Sequence, residues 1–217
     1  MWVKACIFDL DGVIVDTARY HFLAWKRLTT RMGINFTEED NERLKGVSRM
    51  ASLEIILEIG GRSLDQAEKE KLAALKNAWY VEYISKMEAD EILPGTTEFI
   101  TSLKKMDIRI ALGSASKNTP MILDRIGMKR TFDAIADGNI VHKAKPDPEV
   151  FLKAASMVGT DPAECVVFED AVAGVEAALN AGMKCVGIGR RDVLSKAHLV
   201  VKGLFEMTTD KLILLQK

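Results

Sequence analysis

The sequence predicts an α/β fold: a doubly wound, mostly parallel sheet of Rossmann-like form with an inserted helical cap domain. Three observations predict it. Short apolar runs without polar alternation read as strands buried on both faces. Helical stretches separate these runs, and alternating β and α segments build a parallel sheet. Residues 17 to 88 break that alternation and read as helical throughout.

The first strand is expected over residues 3–8. Later strands are expected over 108–112, 165–168, 185–188 and 198–201, with a weaker one near Ala134. Helices are expected between them over 96–106, 119–126, 148–158 and 171–181. In the helical block, Tyr20, Leu23, Ala24, Leu28 and Met32 recur at helical spacing, with Asp16 or Thr17 as the cap. Ser48 opens a second helix that Gly60 and Gly61 close. Ser63 and Gln66 fit a capping box for a long helix running through Met87. The expected division is a core of residues 1–15 and 89–217 with a cap of residues 16–88. The hinges fall near Val15 and Asp16 and before Pro94-Gly95, the clearest break.

Composition narrows the function. The 217 residues carry 30 basic and 31 acidic side chains, a formal charge of −1. That balance argues against a nucleic-acid partner and against a basic membrane-surface protein. No apolar run approaches the ~18 residues of a membrane span, and no signal-peptide core precedes the first carboxylate. Cys6, Cys165 and Cys185 each lie in an apolar run and read as small buried hydrophobes. A cytoplasmic protein is expected, and a monomer, since a cap on a core needs no second chain.

Chemistry-bearing residues gather where strands are expected to end. Phe8-Asp9-Leu10-Asp11-Gly12 puts two carboxylates after a buried run, and Phe168-Glu169-Asp170 does the same. Open α/β sheets bind ligands at these carboxyl ends. Clustered carboxylates repel one another and lose hydration, so a divalent cation is the simplest offset. An all-oxygen donor set suits Mg²⁺ better than zinc. The bland role for Asp170 is to cap the following helix, and the two roles are not exclusive. Gly113-Ser114-Ala115-Ser116-Lys117-Asn118 follows another strand and offers hydroxyl and backbone N–H donors to an anion. Lys145-Pro146 offers a cation to a phosphate or to the acidic pocket. Singly, a loop serine or a solvated lysine explains each of the last two; four strand-end features together do not arise by independent coincidence.

Asp9-x-Asp11-Gly12-Val13, Ser114, Lys145 and Glu169-Asp170 resemble the four ordered motifs of the haloacid dehalogenase superfamily of phosphoryl-transfer enzymes. Asp16-Thr17 through Trp25, Leu44 through Arg49, and Ser114 through Asn118 extend the likeness to its phosphosugar mutases. The resemblance implies Asp9 as the nucleophile that becomes aspartyl phosphate and Asp11 as the general acid and base. It implies that Ser114 and Lys145 bind the transferring phosphoryl group. Mg²⁺ would be held by the Asp9 carboxylate, the Asp11 carbonyl, Glu169 and Asp170. Arg49, Ser116, Lys117 and Asn118 would grip a distal phosphate. Thr17, His21, Trp25, Lys45, Gly46, Val47, Ser52, Lys76 and Ala115 would serve substrate contacts and closure. The implied reaction interconverts β-D-glucose 1-phosphate and glucose 6-phosphate through a β-glucose 1,6-bisphosphate. The alternative is a Mg²⁺-dependent sugar-phosphate phosphatase, whose aspartyl phosphate passes to water; it needs no second phosphate clamp. A catalytically silent phosphosugar-binding module would not need intact Asp9, Asp11 and Lys145.

Overall fold

The computed structural model describes residues 3–44 and 47–215. Its six strands are β1 (Ala5–Phe8), β2 (Arg109–Gly113), β3 (Ala134–Ala136), β4 (Cys165–Glu169), β5 (Lys184–Ile188) and β6 (Leu199–Val201). They form one all-parallel sheet in the order β3-β2-β1-β4-β5-β6. β1 and β4 are buried along their whole length, as the unbroken apolar runs ACIF and CVVF require of strands covered on both faces.

The chain runs from β1 into four helices: α1 (Ala18–Arg31), α2 (Glu38–Glu42), α3 (Arg49–Ile59) and α4 (Gln66–Ile84). It then returns to the sheet through α5 (Thr96–Lys104). The remaining helices are α6 (Thr119–Arg125), α7 (Glu149–Met157), α8 (Val172–Asn180) and α9 (Thr209–Leu214). Side chains alternate across β1. Cys6 and Phe8 join one core cluster with α5, α6 and the four-helix block, whereas Ala5 and Ile7 join a second with α7 and α8. Phe8 stacks on Phe168 at 4.6 Å, and Phe99 meets both rings edge-on, which fixes the floor beneath the strand ends. The two crossings between the sheet and the helical block touch: Val15 bridges both Asp11 and Ile92, and Leu93 N–H donates to the Ile14 carbonyl at 2.9 Å.

The helical block departs from expectation in three details. Leu23 is exposed, and α1 buries Ala24, Trp25, Leu28 and Thr29 against α4 instead. The long helix is capped by Asp65, not Ser63. Asp65 accepts from Glu68 N–H at 2.8 Å, and Glu68 accepts from Asp65 N–H at 3.3 Å, a capping box two residues later than expected. Thr17 stands at the N-cap of α1 but accepts no capping bond; its hydroxyl donates to Asp11 Oδ1 instead. Ser48 caps α3 as expected, accepting from Ala51 N–H at 3.3 Å. Among the described residues, no helix is long and apolar enough to cross a membrane.

Candidate active site

The strand order puts the chemistry together. β1 lies between β2 and β4, with Phe8 in register with both Leu112 and Phe168. One residue further, Asp9, Gly113 and Glu169 are level; beyond them come Ser114 and Asp170. This is the point where strand order reverses, the crevice in which open α/β sheets take ligands. The oxygens of Asp9, Glu169 and Asp170 lie within 4.8 Å of one another. Asp170 does not cap α8: Ala171 holds the N-cap position and makes no side-chain bond.

Lys145 stands between two of these carboxylates. Its Nζ donates to Asp9 Oδ1 and to Glu169 Oε1, each at 2.6 Å, and all three groups are buried. Burial works against the ammonium, but the two carboxylates outweigh it and hold Lys145 above the ordinary lysine range. Burial, reinforced by Glu169, pushes Asp9 up to about 6 even with Lys145 beside it. Burial and the neighbouring Asp9 push Asp11 up to about 7. The Asp11 carboxylate lies outside the three-carboxylate cluster. It accepts the Thr17 hydroxyl at Oδ1, and Asp11 N–H donates to Asp9 Oδ2 at 3.1 Å.

Two glycines make room for the acidic side chains. Gly12 has φ +80°, and a Cβ there would lie 2.1 Å from Asp170 Oδ2. Gly174, inside α8, would place a Cβ 1.7 Å from Glu169 Oε1. The remaining Glu169 oxygen accepts from Ala171 N–H at 3.0 Å.

Across these strand ends opens a cavity of about 510 Å³, whose far wall is the helical block. His21 and Trp25 of α1, Val47, Arg49 and Ser52, and Lys76 of α4 line it, as do Ala115, Ser116, Lys117 and Asn118 after β2. Lys76 is buried, its Nζ 2.8 Å from His21 Nδ1 and over the rings of Trp25 and Tyr80. Burial depresses His21 well below the usual histidine range and brings Lys76 down to about 7, with Arg49 adding to both shifts. Burial lowers Arg49 as well. After β2, Ser116 N–H donates to Ser114 Oγ at 3.1 Å, and Asn118 N–H donates to Ser116 Oγ at 3.2 Å. These bonds fold the loop into a turn.

The cavity therefore gathers Asp9, Asp11, Lys145, Glu169 and Asp170 with the expected residues of the helical block and the loop after β2. Thr17 and Ser114 are fully buried behind the wall, Thr17 against Asp11 and Ser114 under Ser116. Lys45 and Gly46 lie outside the described residues. Sequence reasoning missed Asn77, whose Oδ1 accepts from Asn118 Nδ2 at 3.1 Å and ties α4 to the loop after β2. It also missed Tyr80, whose ring packs 4.1 Å from His21. Lys76 and Tyr80 are four residues apart on one helix face, a spacing that could have pointed to Tyr80 once Lys76 was chosen. It missed Asn41 of α2 too, another residue of the cavity wall.

Comparison with known proteins agrees with this geometry. The family model for haloacid dehalogenase-like hydrolases matches residues 3–182. A β-phosphoglucomutase of Bacillus subtilis is 46% identical over 212 residues, covering 97% of this chain and 94% of that protein. A phosphorylated carbohydrates phosphatase of Thermotoga maritima is 33% identical over 187 residues, covering 84% and 83%. The crystal structure of a β-phosphoglucomutase from Clostridium difficile superposes with a TM-score of 0.94 at 41% identity, covering 98% of this chain and 96% of that one. With its motifs at the ends of β1, β2 and β4 and its matching helical insertion, the chain belongs to the haloacid dehalogenase-like hydrolase family.

Proposed function

We propose that this chain is a phosphosugar mutase with β-phosphoglucomutase activity, interconverting β-D-glucose 1-phosphate and glucose 6-phosphate. The carrying observation is a single cavity lined by two chemically different sets of side chains. Asp9, Asp11 and Lys145 belong to the acidic site at the strand ends, and Arg49 of α3 with Lys117 and Asn118 of the loop after β2 line the same cavity. A hydrolase needs only the first set. A mutase must also hold the phosphate that is not transferring.

In one half-reaction Asp9 attacks one phosphorus of the bisphosphate through a carboxylate oxygen, the P–O bond to the sugar breaks, and a sugar monophosphate departs. Asp11, held by Thr17, gives its proton to the departing sugar oxygen. In the other half-reaction the aspartyl phosphate gives its phosphoryl group to the free hydroxyl of a sugar monophosphate, whose proton goes to Asp11, and the bisphosphate forms. The bisphosphate turns round between the two half-reactions, so Arg49 meets either phosphate in turn; its planar fork suits bidentate binding. Lys145 offsets the repulsion between Asp9 and the incoming phosphate. Ser114 and Ala115 shape the loop that receives the transferring group. Ser116, Lys117 and Asn118 join Arg49, and Val47, Ser52, Trp25, His21 and Lys76 form the wall the sugar meets.

The three carboxylates fit Mg²⁺: they are hard oxygen donors, clustered and offset by one lysine. Asp9, Glu169 and Asp170, with the Asp11 carbonyl, would hold the ion. When bound, Mg²⁺ supplies charge neutralisation at the phosphoryl oxygens.

Residues 16–88 act as a cap over a core of residues 1–15 and 89–217 in this reading, and closure keeps water from the aspartyl phosphate. The contacts among residues 11, 15 and 92 support hinges at the two crossings. Three free, buried cysteines support a reducing, cytoplasmic setting.

Phosphorus NMR tests the proposal. With Mg²⁺, β-glucose 1-phosphate and a trace of β-glucose 1,6-bisphosphate, the phosphorus signal should move to glucose 6-phosphate. Stoichiometric free phosphate without glucose 6-phosphate would establish the phosphatase reading, which the Thermotoga maritima relative favours.

A further inference from the structure

Asn41 has an unusual position. It lies in α2, whose register is pinned by a capping box: Asp40 N–H donates to Thr37 Oγ1 at 3.2 Å, and Thr37 N–H donates to Asp40 Oδ2 at 2.9 Å. Buried Phe36 and Leu44 anchor the chain on either side. Asn41 is only 9% exposed, and what exposure it has is to the cavity it lines. Among the described residues, no hydrogen bond reaches its carboxamide. The other asparagines of the cavity wall, Asn77 and Asn118, are bonded to each other.

Among the described residues, the buried side-chain polar atoms without a partner are Tyr80 Oη and Thr96 Oγ1, so the Asn41 carboxamide is not sealed into the wall but opens on the cavity. The carboxamide makes no bond that the fold uses, and its polar atoms are left for what the cavity holds. The neighbouring cavity cations serve phosphate, but a carboxamide carries no charge. It offers two N–H donors and a carbonyl acceptor side by side, which suits a sugar hydroxyl, itself both donor and acceptor.

We infer that Asn41 reads a ring hydroxyl of the hexose and is a specificity residue of this site. The inference rests on the hexose-phosphate reading above and names a contact within it. A site built to hydrogen-bond a hydroxyl rejects the analogue that lacks it, because its own polar group is then left unpaired.

The test measures binding in the Asp9→Asn background, where ligand is not turned over. Calorimetry with Mg²⁺ compares Asn41 with Asn41→Leu for β-glucose 1-phosphate and its 2-, 3- and 4-deoxy analogues. Thermal unfolding is recorded in parallel. Asn41→Leu should leave the melting temperature close to the parent's yet weaken the parent sugar about tenfold, the worth of one neutral hydrogen bond with its partner left unpaired. For one deoxy analogue the two proteins should bind alike. Equal affinity of the two proteins for every sugar would overturn the inference, as would an equal loss for all of them. If the Asp9→Asn protein with Asn41 intact fails to bind β-glucose 1-phosphate, the hexose-phosphate reading itself falls, and this one with it.

Discussion

Lys76 Nζ lies 2.8 Å from His21 Nδ1, so a buried lysine of α4 meets an imidazole where a carboxylate would be the usual partner. No opposite charge offsets its desolvation at contact distance, and the nearby Arg49 adds to it, so Lys76 falls to about 7 from an ordinary 10.5. His21 stays neutral for the same reasons. The unfolded chain then binds more protons than the folded one between these two values, and stability from this group rises with pH across that window. Below pH 7 the folded state carries the full cost of a buried ammonium. Lys76→Met should therefore stabilise the protein most below about pH 7, with the gain over the parent shrinking toward pH 10.5. Denaturant unfolding of both proteins across that range measures the difference. A gain that does not change with pH would mean that Lys76 titrates normally.

Lys145 links Asp9 and Glu169 at 2.6 Å each. Removing one partner of a buried ion pair costs about 3–5 kcal/mol, because the remaining charge is stranded. Lys145→Met should thus lower the melting temperature markedly in the absence of divalent cations. If the same carboxylates bind Mg²⁺, adding it should raise the melting temperature of the variant more than that of the parent. A variant indifferent to Mg²⁺ would place the ion elsewhere.

How far these features were legible in the sequence depended on how local their causes are. β1 and β4 could be read because a strand covered on both faces leaves an unbroken apolar run. Asp9, Asp11 and Glu169-Asp170 could be read because each follows such a run. That β1 lies between β2 and β4 is set by long-range pairing, which no local run of residues encodes. The inner face of α1 was misread at Leu23, since a helix packed on a cavity and on α4 follows no simple apolar stripe; Trp25 and Thr29 go inside. The cap of α4 was misplaced by two residues, at Ser63 with Gln66. Asp65 with Glu68 places two carboxylates at the positive end of the helix, which favours it over the neutral Ser63 and Gln66. Asn77 and Asn41 were invisible, because their significance comes from what lies across the cavity from them.

Gly174 sits inside α8, where replacement by alanine ordinarily gains about 1 kcal/mol of helix propensity. Here a Cβ would fall 1.7 Å from Glu169 Oε1, and Glu169 is buried with Lys145 on that same oxygen. Steric exclusion at that distance outweighs the propensity gain. Gly174→Ala should destabilise the protein and raise the Mg²⁺ concentration needed for half-maximal turnover by at least about tenfold, the equivalent of 1.4 kcal/mol. Activity titrated against Mg²⁺ gives the second quantity. Unchanged Mg²⁺ dependence would show that Glu169 can move without affecting the metal.

Arg49 opens α3 behind the Ser48 cap, and its guanidinium lines the cavity in partial burial. Its single role in the proposed reaction is to hold the phosphate that is not being transferred. Arg49→Ala should therefore reduce mutase turnover far more than it reduces hydrolysis of a small acyl phosphate, which has no second phosphate to hold. Arg49→Lys should recover only part of the loss, since an ammonium keeps the charge but lacks the planar pair of donors. The ratio of glucose 6-phosphate formed to phosphate released separates the two activities in one reaction mixture, and Arg49→Ala should lower it. If both rates fall in proportion, Arg49 acts on the whole cavity and its role in holding the second phosphate loses its basis.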